Sequence, residues 1–238
     1  MNLTPAPSLD ALADQLPELV RHPVLLPLLF DYIATFIWAL SGALIAARRG
    51  YVGIGIVVIA VVSATGGGLL RDSILPGALP ALLENPVYVL LALGASLLVG
   101  IAGGYVDRSM WIGPTVHFVD ALAAAVYAVV GVNLAIALDV PFAGIVIIGF
   151  INATGGGLLR DVLMRRVPDL FKPGLPFGPA ALLASMLFAL LATQLHVHQT
   201  MAAFLTISIV SILDLAMLRS HIRSRPLETF RAYWESRD

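Results

Sequence analysis

The sequence predicts an all-α polytopic membrane protein: seven transmembrane helices, built as a 3+3 inverted repeat plus one extra helix. Three observations carry that prediction. First, the 238 residues are 59% hydrophobic and 12% charged, with a mean hydropathy of +0.92; a soluble domain is about 45–50% apolar and about 25% charged. Second, uncharged runs of membrane-spanning length recur along the chain. Third, one ten-residue motif occurs twice. The composition excludes a soluble globule and a disordered tail. A net charge of −1 lacks the basic footprint of a nucleic-acid binder. With no cysteine, disulfide scaffolds, thiolate metal sites and cysteine catalysis are excluded.

A spanning helix needs about 20 apolar residues, because each rises about 1.5 Å through about 30 Å of hydrocarbon. Residues 1–23 carry Pro5, Pro7, Pro17, Asp10, Asp14 and Glu18 and no basic start. They predict an extracytoplasmic tail without a cleavable signal, mobile or with a short surface helix over Leu9–Val20. Val24–Phe30 and Tyr32–Ala47, joined at Asp31, form the first span. Tyr51–Leu70, Val87–Gly104, Ala121–Leu138, Val140–Leu159 and Pro173–Leu195 follow, each free of charge. Thr200–Leu218 contains only Asp214. A β-barrel would instead show alternating segments of roughly 10 residues.

Alternating the loops across these spans sorts the 14 Lys and Arg residues. Only Arg21 and Arg71 fall on the N-terminal side; the other 12 fall opposite. The positive-inside rule then puts the N-terminus outside and the C-terminus in the cytoplasm of an inner (plasma) membrane.

Ser63–Asp72 reads SATGGGLLRD and Asn152–Asp161 reads NATGGGLLRD, nine of ten identical at an offset of 89. The same offset pairs Asp31 with Asp120, Ala39 with Ala128, Gly42 with Gly131, and Gly55-Ile56-Val57 with Gly144-Ile145-Val146. Three spans per copy is odd, so the second copy enters the membrane from the opposite face. The domains expected are a first repeat over 24–106, a second over 115–197, a seventh helix over 199–219 and a basic cytoplasmic tail over 220–238. Inverted repeats suit transport, because their interface meets at the bilayer midplane; duplication alone also builds a stable bundle.

Two readings fit Gly66-Gly67-Gly68 and Gly155-Gly156-Gly157. Small residues let membrane helices pack closely. Three in a row also strip side chains from every face, which suits a kink or break lining a watery pathway. Backbone carbonyls there attract cations. Ser63, Thr65, Asn152 and Thr154 add polar side chains beside them. No Lys follows either triplet, so a phosphate-binding P-loop is not expected.

The repeat also places charges at matching depth: Asp31 with Arg71-Asp72, and Asp120 with Arg160-Asp161. They read either as ion pairs Asp31–Arg71 and Asp120–Arg160 at two mouths of a pathway, or as headgroup anchors. Asp214 has no repeat mate; it lines a cavity or bonds a neighbouring hydroxyl. His196 and His198 lack a third ligand, so no metal site is expected, and with His117 they read as helix-end residues. Trp111 suits an interfacial anchor, whereas Trp38 and Tyr127 suit lipid-facing or core positions. No G-x-S-x-G or H-E-x-x-H motif appears, and neither an enzyme nor a cofactor is expected.

The doubled A-T-G-G-G-L-L-R-D motif, set in two groups of three spans with a seventh helix, resembles the prokaryotic TRIC family of trimeric intracellular cation channels, also labelled as glycine transporters. The resemblance runs over roughly Pro27 to Leu218. It implies homotrimers with one pore per protomer, K⁺ and Na⁺ as permeant ions with K⁺ preferred, membrane lipid as surroundings, and glycine triplets that kink the second and fifth helices beside the pore. The animal members' Lys-Glu-Val motif is absent: the region reads HFVDALAAAVYAV, so no phosphoinositide site is expected. The competing functions are a secondary transporter of a small solute such as glycine, and a structural membrane protein.

Overall fold

The computed structural model describes residues 25–75, 80–106, 112–172 and 177–219. Leu9–Val20, Trp111, the two tails and the side chain of His117 lie outside the residues described. Among those described, all regular structure is helical. The helices are α1 (Leu25–Arg48), α2 (Ile54–Ile74), the short α3 (Ala81–Glu84), α4 (Val87–Val106), α5 (Ile112–Ala137), α6 (Phe142–Leu163), α7 (Phe177–Ala189) and α8 (Gln199–Arg219). A 3₁₀ turn covers Asp169–Phe171, and a π turn over Leu190–Gln194 extends α7. Five stretches are long and apolar enough to cross a membrane by length and composition: Ile54–Ile74, Asp120–Ala137, Phe142–Leu163, Phe177–Gln194 and Gln199–Met217. The shorter Val87–Ala102 is also apolar.

The helix ends depart from the apolar runs for local reasons. α1 runs straight through Asp31. α2 and α6 continue past Leu70 and Leu159 to enclose Arg71-Asp72 and Arg160-Asp161. A helix satisfies its own backbone, so it extends as long as its side chains find partners, and these charges do. α2 starts three residues later than its apolar run because Gly50 (φ 78°) and Gly53 (φ 43°) turn the chain first. At Gly50 the Tyr51 amide bonds the Ala46 carbonyl (3.1 Å) and the Gly50 amide bonds that of Ala47 (2.9 Å). The end of α5 repeats this closure 89 residues on: Val140 to Ala135 (3.1 Å) and Asp139 to Ile136 (3.0 Å). There Asp139 takes the left-handed conformation, φ 54°, that glycine takes in the first copy.

The interior is built from small side chains. Ala39, Ala43, Ala60, Ala64, Ala92, Ala95 and Val99 pack where α1, α2 and α4 meet. Ala123, Ala124, Ala125, Ala128, Ala153, Ala181 and Ala184 surround Trp38 and Tyr127. Lipid tails are as apolar as leucine, so membrane helices gain by close backbone approach, which alanine permits. The large apolar residues point outward instead, including Leu90, Leu97, Ile101, Ile147 and Ile212. α2 packs along α6, α1 along α5, and α8 covers α5 and α7.

Candidate functional site

α2 and α6 cross at their glycine triplets, and both stay helical through them, so the expected break does not occur. The first two glycines of each triplet make the crossing. A Cβ on Gly66 would fall 3.1 Å from Gly156 Cα, and one on Gly155 would fall 3.0 Å from Gly67 Cα. A Cβ on Gly67 would overlap the Asn152 carbonyl, and one on Gly156 the Ser63 carbonyl. The third glycine of each triplet differs. The nearest atom to a Cβ on Gly68 is Arg71 Nη2 at 3.7 Å, and on Gly157 it is Arg160 Nη2 at 3.8 Å. Two glycines therefore serve packing, and the third leaves room for an arginine one turn on.

The polar residues of the motifs are buried and mostly satisfied within their own helices. Ser63 donates to the Ile59 carbonyl (2.7 Å), Thr65 to Val61 (2.8 Å) and Thr154 to Phe150 (2.8 Å). Asn152, fully buried, donates Nδ2 to the Tyr127 carbonyl at 2.7 Å, while its Oδ1 has no partner among the described residues. Gly42 and Gly131 are 89 residues apart and hold matching places. A Cβ on the first would strike the Ser63 side chain, and on the second the Asn152 side chain.

At one end of the crossing lies a cavity of about 20 Å³, room for roughly one water. Asp31, Thr65, Gly68, Arg71, Asp72, Tyr88 and Tyr127 are among its walls. The expected Asp31–Arg71 ion pair is not made. Asp31 accepts a hydrogen bond from the Tyr88 hydroxyl, and Arg71 Nε binds the adjacent Asp72 at 2.7 Å. α4 supplies this competitor: Asn85 bonds the Val87 amide with Oδ1 (3.0 Å) and the Tyr32 hydroxyl with Nδ2 (2.6 Å). Tyr32 then sits edge-on to Tyr88 at 5.5 Å.

At the other end the corresponding charges do meet. Arg160 Nη1 lies 3.3 Å from Asp120 Oδ2 and 3.3 Å from Ser41 Oγ, and its Nε binds Asp161 at 3.0 Å. The chain after α6 folds back over this group. The Asp169 amide donates to Asp161 Oδ2 (3.0 Å), Arg166 reaches Asp161 Oδ1 (3.1 Å) and Asp169, and Lys172 binds Asp169 at 2.7 Å. Burial alone would raise the Asp169 carboxyl; the hydrogen bond from Lys172 and the charge and hydrogen bond of Arg166 outweigh it and hold the group below the ordinary carboxylate range. Arg49 adds a bond to the Met164 carbonyl at 3.1 Å.

Asp214 is buried in α8, and His196 and His198 are exposed. Among the described residues no three His, Cys, Asp or Glu side chains gather to hold a metal. The sequence allows Trp38 and Tyr127 lipid-facing or core positions. They are core residues stacked on each other, centroids 4.8 Å apart and planes 25° from parallel. The signal was present, since they too are 89 residues apart. Tyr88, Asn85 and Asp169 carried no repeat signal.

Fold and site together define a multi-pass α-helical membrane protein in which two glycine motifs cross backbone to backbone beside buried charges. A family model described as Glycine transporter matches residues 28–103 and 117–210, two segments whose starts are 89 residues apart. The UPF0126 inner membrane protein YadS of Escherichia coli K12 is 27% identical over 194 residues, 81% of this chain and 92% of YadS. The TRIC orthologue of Rhodobacter sphaeroides superposes with a TM-score of 0.76 at 25% identity, covering 83% of this chain and 99% of that one. A second solved TRIC cation channel gives a TM-score of 0.73 at 26% identity, over 83% and 95% of the two chains. The chain belongs to the family that the Glycine transporter model describes, that of the prokaryotic TRIC channels.

Proposed function

We propose that the protein is a monovalent cation channel that prefers K⁺ and also passes Na⁺, with one pore per protomer of a homotrimer. The likeness to the solved TRIC channels supports this most directly. In this proposal seven spans form two inverted three-helix repeats with α8 outside them, the N-terminus is extracytoplasmic, and lipid surrounds the apolar faces. The pathway follows the α2–α6 crossing, past Ser63, Thr65 and Gly66–Gly68 in one copy and Asn152, Thr154 and Gly155–Gly157 in the other. Hydroxyls and helix carbonyls replace part of the ion's hydration. Arginine beside a cation path repels the ion unless it is neutralised. Arg71 is held by Asp72, and Arg160 by Asp120 and Asp161, so both arginines remain compatible with cation passage and are placed to gate it together with Asp31.

The alternative is a carrier of a small solute such as glycine, which the same repeats would serve by alternating access. The size of the cavity, room for about one water, favours an ion over an amino acid. Reconstitution in planar bilayers tests the choice. Unitary currents with K⁺ selectivity are expected. Saturable counterflow of labelled glycine without unitary currents would establish the carrier instead.

A further inference from the structure

The repeat is not symmetric at its centre. Trp38 of α1 and Tyr127 of α5 are offset-89 mates whose rings stack, yet they are used differently. Tyr127 walls the cavity and is tied down by its hydroxyl, 2.6 Å from the Ala64 carbonyl and 2.8 Å from Thr35 Oγ1. Trp38 carries the larger ring and lies against the other copy's motif. A Cβ on Gly156 would fall 2.6 Å from indole Cζ3 and 2.8 Å from Cε3. Gly67, the mate of Gly156, has only atoms of Asn152 as its three nearest neighbours. The indole has the weaker polar anchor: its one hydrogen bond, Nε1 to the Asp120 carbonyl, is 3.4 Å long, beyond the usual N–H···O range. The Trp38 ring therefore stands between Tyr127, on which it stacks, and the Asp120 carbonyl, which it bonds, with Cζ3 and Cε3 against Gly156.

We propose that the Trp38 indole, seated on Gly156, is the barrier that separates the cavity at Tyr127 from the Asp120–Arg160 end, and that it opens by leaving Gly156 while Tyr127 stays in place. This rests on the passage along the α2–α6 crossing proposed above, and it adds the residue that blocks it. A fixed, doubly bonded tyrosine and a weakly bonded indole make a hinge with one moving leaf. Gly156 is what lets the ring seat, because any side chain there would occupy the same space.

The chain contains no cysteine, so single cysteines report without background. Thr65→Cys, on the cavity wall, and Ser41→Cys, beside Arg160 at the other end, are placed separately in the full-length protein and exposed to a membrane-impermeant cationic methanethiosulfonate from each face in turn. With Trp38 intact, Thr65→Cys reacts from the Asp31 face and Ser41→Cys does not. With Trp38→Ala, Ser41→Cys reacts from the Asp31 face at least about tenfold faster, the change that lowering a barrier by about 1.4 kcal/mol produces. Trp38→Phe keeps a ring stacked on Tyr127 and carries the test if Trp38→Ala loses the Thr65→Cys signal that reports an intact cavity. Unchanged reactivity in both Trp38 variants overturns the proposal, and so does reaction of Ser41→Cys from the Asp31 face with Trp38 in place. Unitary currents recorded on the same protein separate the two ideas. Currents with no change in reactivity place the barrier elsewhere; the expected reactivity with no currents removes the channel reading and leaves the barrier standing.

Discussion

At Gly67 an added methyl group has nowhere to go, because the atom it meets is the Asn152 carbonyl oxygen of a packed helix. At Gly68, one residue on, it meets only Arg71 Nη2 at 3.7 Å, an ordinary contact distance. The two substitutions to alanine should therefore part in sign. Gly67→Ala is expected to destabilise by about 1–3 kcal/mol, the usual range for overpacking. Gly68→Ala is expected to be neutral or to stabilise by up to about 1 kcal/mol, because alanine is the better helix former. Thermal unfolding in detergent, read by circular dichroism, distinguishes them; equal shifts would remove the division of labour within the triplet. The sequence posed packing and pathway as competing readings of one glycine block. It did not resolve them because they apply to different members of the block. Only the rotation of α2 against α6 decides which glycine faces which neighbour.

The helices themselves were legible. Each apolar run became a helix, because length and hydropathy are the constraints that lipid imposes, although α5 begins at Ile112, ahead of its run at Ala121. What was not legible is where charge is allowed to remain helical. The uncharged runs end at Leu70 and Leu159, whereas the helices continue through Arg71-Asp72, which pair with each other, and Arg160-Asp161, which also find partners in other parts of the chain. The segment after α6 is held by partners close in sequence. Asp169 is held below the ordinary carboxylate range by Lys172 and Arg166. A depressed acid contributes stability that is present above the unfolded-chain value, about 3.9 for aspartate. That contribution is lost as pH falls through the lower folded value. Asp169→Asn should flatten the loss of stability below about pH 4 relative to the parent chain, measured as melting temperature against pH. An unchanged acid limb would show that the turn over Asp169–Phe171 is held by something else.

For the whole molecule, the sorting of arginines and lysines predicts direction in the membrane. The basic loops contribute Arg49 and Arg166 to the Asp120–Arg160 end, where Arg49 bonds the last turn beyond α6. A reporter active only in the cytoplasm should work when fused to the C-terminus and fail at the N-terminus; the reverse result would invert every face assigned above. The offset of 89 was the most informative number in the sequence. The two glycine motifs it relates meet each other, and the turn at Gly50 has its counterpart at Asp139, a match read only from the structure. It misled only at Asp31, where a tyrosine of α4 took the place its mate gives to arginine.

The reciprocal contact of the triplets bears on how such a chain keeps its likeness to itself. Each copy's glycines touch backbone atoms of the other copy, so each is the mould in which the other is cast. A duplicated segment elsewhere is free to drift; here a methyl group gained in one half is refused by the other. That mutual veto accounts for the two crossing glycines of each triplet staying glycine in both copies.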